Sequence, residues 1–272
     1  MARREQQNFN TSPVANLTTA ARFGEPRRVI PDLPRSLHEA CRWTGDATRD
    51  VGLETMMAPM KFYMTPGSCS TGIHIILEEL EEVFEAYIVN LPAGDNFKPD
   101  YVAINPKSTI PALVRPDGSV LTEVPAIAYW LGRSRPRARL WPSELETETR
   151  LLEAMTYIAG TVHGHGFARI FATPTFSRNE ADQESVRALG RNIVVKGFAI
   201  LSRMLGEQPY LGGDFSVADP ILFYVEFWAD KTDIALPANL LAHYRRMLAS
   251  PVVQRVLREE GYNPATLGRA TE

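Results

Sequence analysis

The sequence predicts an α/β unit followed by an all-helical unit. Three observations carry that prediction: a strand, tight turn and helix across Lys61 to Leu80, a second strand and a hairpin before Ser134, and helical periodicity throughout the chain beyond Pro142.

Residues 1–59 mix prolines, arginines and polar residues with no sustained period, so they are expected to be a disordered or loosely packed extension. Neither Arg3-Arg4 nor Arg27-Arg28 is followed by an apolar run, which argues against a secretory signal. Met56, Met57 and Met60 stand just before the first strand, so a translation start there and a native extension both stay open.

The α/β unit spans residues 60–134. Its first strand is Lys61 to Met64, and Pro66-Gly67 marks a turn because proline presets φ while glycine accepts a positive one. A helix follows from about Ser70, with Ile73, Ile76, Leu77 and Leu80 at i, i+3, i+4 and i+7 forming a stripe to bury. Val83 to Leu91 reads as a second strand, and a polar stretch with Pro92, Gly94 and Pro99 comes next. Ala112–Arg115, the turn Pro116-Asp117-Gly118-Ser119 and Val120–Thr122 make a hairpin, and a helix from Pro125 to Gly132 closes the unit. A parallel first pair with an antiparallel second pair is the thioredoxin-like arrangement.

Ser134 to Pro142 is a linker, and residues 143–262 form the all-α unit, with 263–272 as a tail. Helices are expected over Ser143–Phe171, Asn179–Leu205, Val217–Trp228, Ala238–Ala249 and Pro251–Glu260. Ser216 can cap the third of these while Asp219 reaches back to it, a structural role.

Composition excludes several classes. With 44% hydrophobic and 22% charged residues and a net charge of −3, the chain has no electrostatic case for nucleic acid or an anionic membrane. No apolar run approaches the roughly 20 residues that span a bilayer. The two cysteines, Cys41 and Cys69, lie in segments of different character, which speaks against a disulfide framework and for a reducing, cytoplasmic location.

Cys69 falls at the entrance of the first helix, where unpaired N–H groups and the macrodipole favour an anion, so its thiol pKa is expected to be lowered. The competing reading is a small buried hydrophobe.

Over about Met60 to Gly261 the sequence resembles the bacterial glutathione transferases of the beta class. KFYMTPGSCS resembles the opening that places a cysteine at the glutathione sulfur, Asn105-Pro106-Lys107 with Ile110-Pro111-Ala112-Leu113 resembles the segment carrying a cis proline, and Leu121-Thr122-Glu123 resembles the γ-glutamyl site. Phe215 to Asp219 is similar to the family's helix-capping motif. The resemblance implies a glutathione transferase fold, with Cys69, Ser70 and His163 as catalytic residues and Ile110, Pro111, Glu123, Val124 and Lys107 as glutathione-binding residues. Lys98 is a second lysine candidate for the glycine end. Tyr157-Ile158-Ala159 with Val162-His163 points to His163, yet one extra residue before Gly166-Phe167 shifts attention to His165 when alignment starts from the right.

The implied function is conjugation of glutathione, as co-substrate and without a metal, to small apolar electrophiles in detoxification. Thiol-disulfide reductase chemistry through Cys69 stays open, as does a noncatalytic module for binding or protein association, since Met64 and Val124 depart from the family pattern. A homodimer is also implied, with Leu151, Met155, Ile193, Val194, Phe198 and Leu201 as apolar material for the interface, the competing reading being that some of them are core, and with Thr156 near the partner's site.

Overall fold

The computed structural model describes residues 27–28 and 58–268. Its sheet has the order β1-β3-β2-β4-β5. At its centre is β2 (Met60–Met64), where Met60, Phe62 and Met64 are buried and Lys61 between them is exposed, the period of two that a half-buried strand requires. β3 (Phe84–Ile88) runs parallel to β2 on one side, and β4 (Ala112–Val114) runs antiparallel on the other, itself paired with β5 (Val120–Thr122). β1 (Arg27–Arg28) adds two residues antiparallel to β3. The expectation for the rest of residues 1–57 lies outside the described residues, as does Cys41.

Three helices belong to this unit: α1 (Ser70–Glu79), α2 (Pro99–Ile104) and α3 (Val124–Ser134). Ile73, Ile76 and Leu77 of α1 and Ile127 and Leu131 of α3 are buried with Phe62 and Leu113 of the sheet. α2 falls in the stretch read as merely polar. Its six residues are too few to show a helical period, and its start is marked only by Pro99 in the first turn. Tyr101 of α2 is buried, and its hydroxyl donates to the Thr109 carbonyl at 2.5 Å, tying α2 to the loop that precedes β4.

The helical unit begins with α4 (Leu145–Tyr157), which continues as a π-helical stretch, Ile158–Phe167, and then as α5 (Ala168–Phe171). The extra residue seen before Gly166-Phe167 is accommodated here: a π turn absorbs one residue by hydrogen bonding i to i+5. A short helix α6 (Thr173–Phe176) leads to α7 (Glu180–Leu205), α8 (Ala218–Lys231), α9 (Ala238–Ala249) and α10 (Pro251–Glu259).

α8 is buried from Ala218 to Ala229, which explains why nearly all of that stretch is apolar. It is the pillar between the two units. A Cβ on Gly72 of α1 would meet the Pro220 carbonyl at 2.7 Å, so the absence of a side chain there lets α1 lie directly on α8. Asp219 reaches back as expected, accepting from the Ser216 N–H at 2.8 Å and its hydroxyl at 3.1 Å. Of the residues for which core and interface readings both stand open, Leu151, Met155, Val194, Phe198 and Leu201 fill this subunit's own core at 0–1% exposure, and Ile193 is half-buried. Their stripe packs α4 and the π stretch against α7 and α8, and a single sequence cannot distinguish that from a surface between subunits.

Candidate functional site

A cleft of about 1690 Å³ opens between the β2–α1 turn and the helical unit, and both units line it. Cys69, Ile110, Glu123, Val124 and Lys107 contribute from the first unit, and His163 and Trp228 from the second.

Cys69 sits at the N-cap of α1 and is 4% exposed. Its Sγ donates to the Ile110 carbonyl at 3.7 Å across the cleft floor. The lowered pKa expected for it is not what the surroundings produce. Burial pushes the thiol up to about 12, the negative charge of Glu123 adds to that, and the backbone N–H groups of Cys69 and Ser70 only partly oppose it. Desolvation outweighs the helix entrance, so Cys69 is a neutral S–H donor at neutral pH.

Ser70 does not bring its hydroxyl to the same sulfur. It is fully buried, donating to the Thr65 carbonyl at 2.9 Å and accepting from the Thr65 N–H at 3.1 Å. The Thr65 hydroxyl in turn donates to the Val89 carbonyl at 2.6 Å. Ser70 therefore shapes the turn, and its expected role as a donor to substrate is corrected to that of a brace.

The same turn is gripped from the far end of the chain. Glu260, just beyond α10 and 2% exposed, accepts from the Gly67 N–H at 2.8 Å and the Thr71 hydroxyl at 2.6 Å, and pairs with His74 Nδ1 at 2.9 Å. Burial works against charge on His74, but hydrogen bonds to Glu259 and Glu260 carry its pKa to about 9. Trp228 Nε1–H donates to the Gly67 carbonyl at 2.8 Å. Gly67 has φ of +72°, and a Cβ there would lie 1.9 Å from the Tyr262 hydroxyl, so conformation and space both demand glycine.

Ile110-Pro111 is a cis peptide, as the resemblance implied, and Pro111 is buried beneath the cleft while Ile110 lines it. Glu123 stands at the N-cap position of α3 without a side-chain capping bond, at φ +71°, a conformation that L side chains rarely adopt. Lys107 Nζ meets Glu123 Oε1 at 2.7 Å and the Thr122 hydroxyl at 2.9 Å, so the two residues form one exposed pair. Val124 is 6% exposed and begins α3 at the cleft wall. Lys98, the second lysine candidate, is held by Asp95 at 2.6 Å and does not line the cleft.

Of the two histidines, His163 lines the cleft, whereas His165 is exposed and does not. His163 lies edge-on to Trp228, ring centroids 4.8 Å apart, and its Nδ1 is 3.4 Å from the Tyr224 hydroxyl. Burial lowers its pKa to about 4, leaving a neutral imidazole. Full burial keeps the Tyr224 hydroxyl protonated, and nearby Cys69 reinforces this. The tautomer in which Nδ1 accepts from the Tyr224 hydroxyl is the one that leaves an N–H at Nε2.

Sequence pattern alone does not single out Trp228, Tyr224, Glu260 or Tyr262 as site residues. By pattern Trp228 and Glu260 are simply parts of helices, and their polar contacts join positions more than 150 residues apart, which no local pattern encodes. The signal that was present is chemical: an indole N–H and a carboxylate in otherwise buried segments each need a partner.

Comparison with known proteins supplies the rest. Residues 67–134 match the model for the glutathione S-transferase N-terminal domain, and residues 183–246 match that for the C-terminal domain. Glutathione S-transferase GstA of Escherichia coli O157:H7 is 34% identical over 211 residues, covering 74% of this chain and 99% of that protein. Among solved structures, a glutathione transferase homologue from Sulfitobacter with bound glutathione aligns with a TM-score of 0.69 at 28% identity, covering 75% of this chain and 99% of that one. The bacterial beta-class enzyme of Sphingomonas chungbukensis aligns with a TM-score of 0.63 at 28% identity, covering 74% and 98%.

Proposed function

Since this chain belongs to the glutathione S-transferase family, we propose that its cleft holds glutathione with the thiol against Cys69 and transfers that sulfur to an electrophile bound beside the helical unit. The enzyme class is transferase and glutathione is the co-substrate. One observation supports the assignment of roles above all: a neutral thiol at a helix entrance, facing the carbonyl before a cis proline across an open cleft.

Glutathione is an extended anionic tripeptide. Ile110 offers it backbone pairing in the manner of strand addition, and Glu123 offers its α-amino group a carboxylate. The Val124 N–H, in the first turn of α3, faces the γ-glutamyl carboxylate, and Lys107 neutralises the pair when both bind. The glutathione thiol then loses its proton to solvent. Its thiolate is stabilised by the Cys69 S–H, by the α1 N-terminus and by the His163 Nε2–H, and it forms the new carbon–sulfur bond as the leaving group departs with its electron pair. A cysteine with a pKa near 12 is a poor nucleophile, so these surroundings favour conjugation over a mixed disulfide on Cys69.

Turnover of an aryl halide with glutathione, followed by the thioether's absorbance, tests this reading. Saturable conjugation above the uncatalysed rate supports it, and conjugation no faster than in buffer defeats it. Detoxification is the role that such chemistry serves. A cytoplasmic location accords with a buried free thiol, and among the described residues no helix is long and apolar enough to cross a membrane. A homodimer joining the first unit of one subunit to the helical unit of the other remains part of the proposal. Phe97, 72% exposed on the first unit, and exposed Thr156 on α4 are suited to it.

A further inference from the structure

The cleft is unevenly charged. On the side of Cys69 and Ile110, Lys107 and Glu123 neutralise each other at 2.7 Å. On the side of the helical unit the floor is aromatic, with Phe171 and Trp228 in edge-to-face contact at 5.2 Å. The charged residues that line this half are Arg187 and Arg191 of α7 and Lys231 at the end of α8, and no acidic residue lines it.

The positions of these cations follow from the packing. Arg187 and Arg191 are one helical turn apart and share a face of α7. Between them Gly190 lets α7 approach the π stretch so closely that a Cβ would meet the Gly166 carbonyl at 2.8 Å. Arg187 Nε has one acidic contact, exposed Glu184 at 3.3 Å, and Lys231 Nζ stands 5.9 Å from the Tyr262 ring centroid. Among the described residues no ion pair is formed by Arg191 or Lys231.

An apolar floor bordered by cations with few acidic partners fits a planar ring carrying a negative charge. Resting on the transferase reading above, we infer that the second substrate is an aromatic or conjugated electrophile bearing a carboxylate or similar anion, its ring on Phe171 and Trp228 and its charge toward Arg191 and Lys231. The reaction balances as ordinary substitution or addition. For an aryl chloride the glutathione thiolate bonds to the ring carbon, chloride leaves with the electron pair, and the thiol proton passes to solvent.

A matched pair of probes tests this: 4-chloro-3,5-dinitrobenzoate and its methyl ester, with kcat/KM for each divided by its uncatalysed rate with glutathione at the same pH. The expected carboxylate-to-ester ratio is about ten, the effect of one or two partly exposed charge pairs. It should fall towards one as salt rises from about 0.01 M to 1 M, where screening shortens from about 30 Å to 3 Å. R191Q and K231Q should each lower the ratio severalfold. A ratio near one in the wild type, or a ratio unmoved by salt and by both variants, overturns the inference while leaving the transferase reading intact. That second outcome, with a raised KM for glutathione, would assign the cations to glutathione itself. Turnover of neither probe would remove the transferase reading and this inference with it.

Discussion

His74→Gln removes the buried cation beside the Cys69 turn and should be among the most consequential single changes outside the cleft. In the native protein His74 is 6% exposed between Glu259 at 3.5 Å and Glu260 at 2.9 Å. Its pKa of about 9 against an ordinary 6.5 corresponds to roughly 3 kcal/mol of folding stability, at about 1.4 kcal/mol per pH unit. A raised folded-state pKa fixes the sign. This stability is fully present below pH 6.5 and is lost as pH rises through about 9. The variant should therefore be less stable than wild type by roughly 3 kcal/mol at pH 6, a drop of about 6–12 °C in melting temperature, and the two should converge by pH 9.5. His243, buried on α9 with its pKa raised to about 10 by Glu226 and Asp219 despite burial, is common to both proteins and cancels in the difference. Urea unfolding of both proteins at pH 6, 7.5 and 9.5, followed by tryptophan fluorescence, measures it. A difference under 1 kcal/mol at pH 6, or one that does not shrink with pH, would refute the linkage. Because Glu260 also holds the Gly67 N–H, the KM for glutathione should rise in the same variant.

Glu123→Ala should raise the KM for glutathione by roughly ten- to a hundredfold, the loss of one charge-assisted contact, with a smaller change in kcat. An unchanged KM would place the γ-glutamyl group elsewhere. His163 stays neutral down to about pH 4, so kcat/KM should show no limb near pH 6.5 that vanishes in His163→Gln; finding such a limb would contradict its burial in the cleft. Light scattering at micromolar protein should give about twice the 30.4 kDa chain mass, and a monomer with full activity would exclude a site that depends on association.

The parts of the fold that a periodic pattern encodes were legible in advance. Met60, Phe62 and Met64 alternate, and Ile73, Ile76 and Leu77 recur at helical spacing, so β2 and α1 appear where the sequence puts them. α2 was not legible, because six residues give no period. The surplus residue near His163 coincides with the π-helical stretch Ile158–Phe167, of which Ala159 and His163 line the cleft. The positions of Cys69, Ile110 and Glu123 around one cleft followed from motif context. The direction of the Cys69 pKa did not, because the sequence shows a helix entrance but not how completely the thiol is desolvated. Nor could it show that Ser70 turns inward to Thr65, since either orientation suits a residue in a first helical turn.

On the proposed mechanism, this cleft makes a thiolate of bound glutathione and the neutral Cys69 thiol helps hold it. Titrating saturating glutathione with the wild type and with Cys69→Ala, and following the ultraviolet thiolate band against pH, measures that directly. Bound glutathione is expected to ionise at least one pH unit below the roughly 8.5 of an ordinary thiol, with a return of roughly one unit towards that value in Cys69→Ala, the loss of one hydrogen bond to a charged sulfur. A bound thiol that ionises as it does in water, or a midpoint identical in the two proteins, would contradict it.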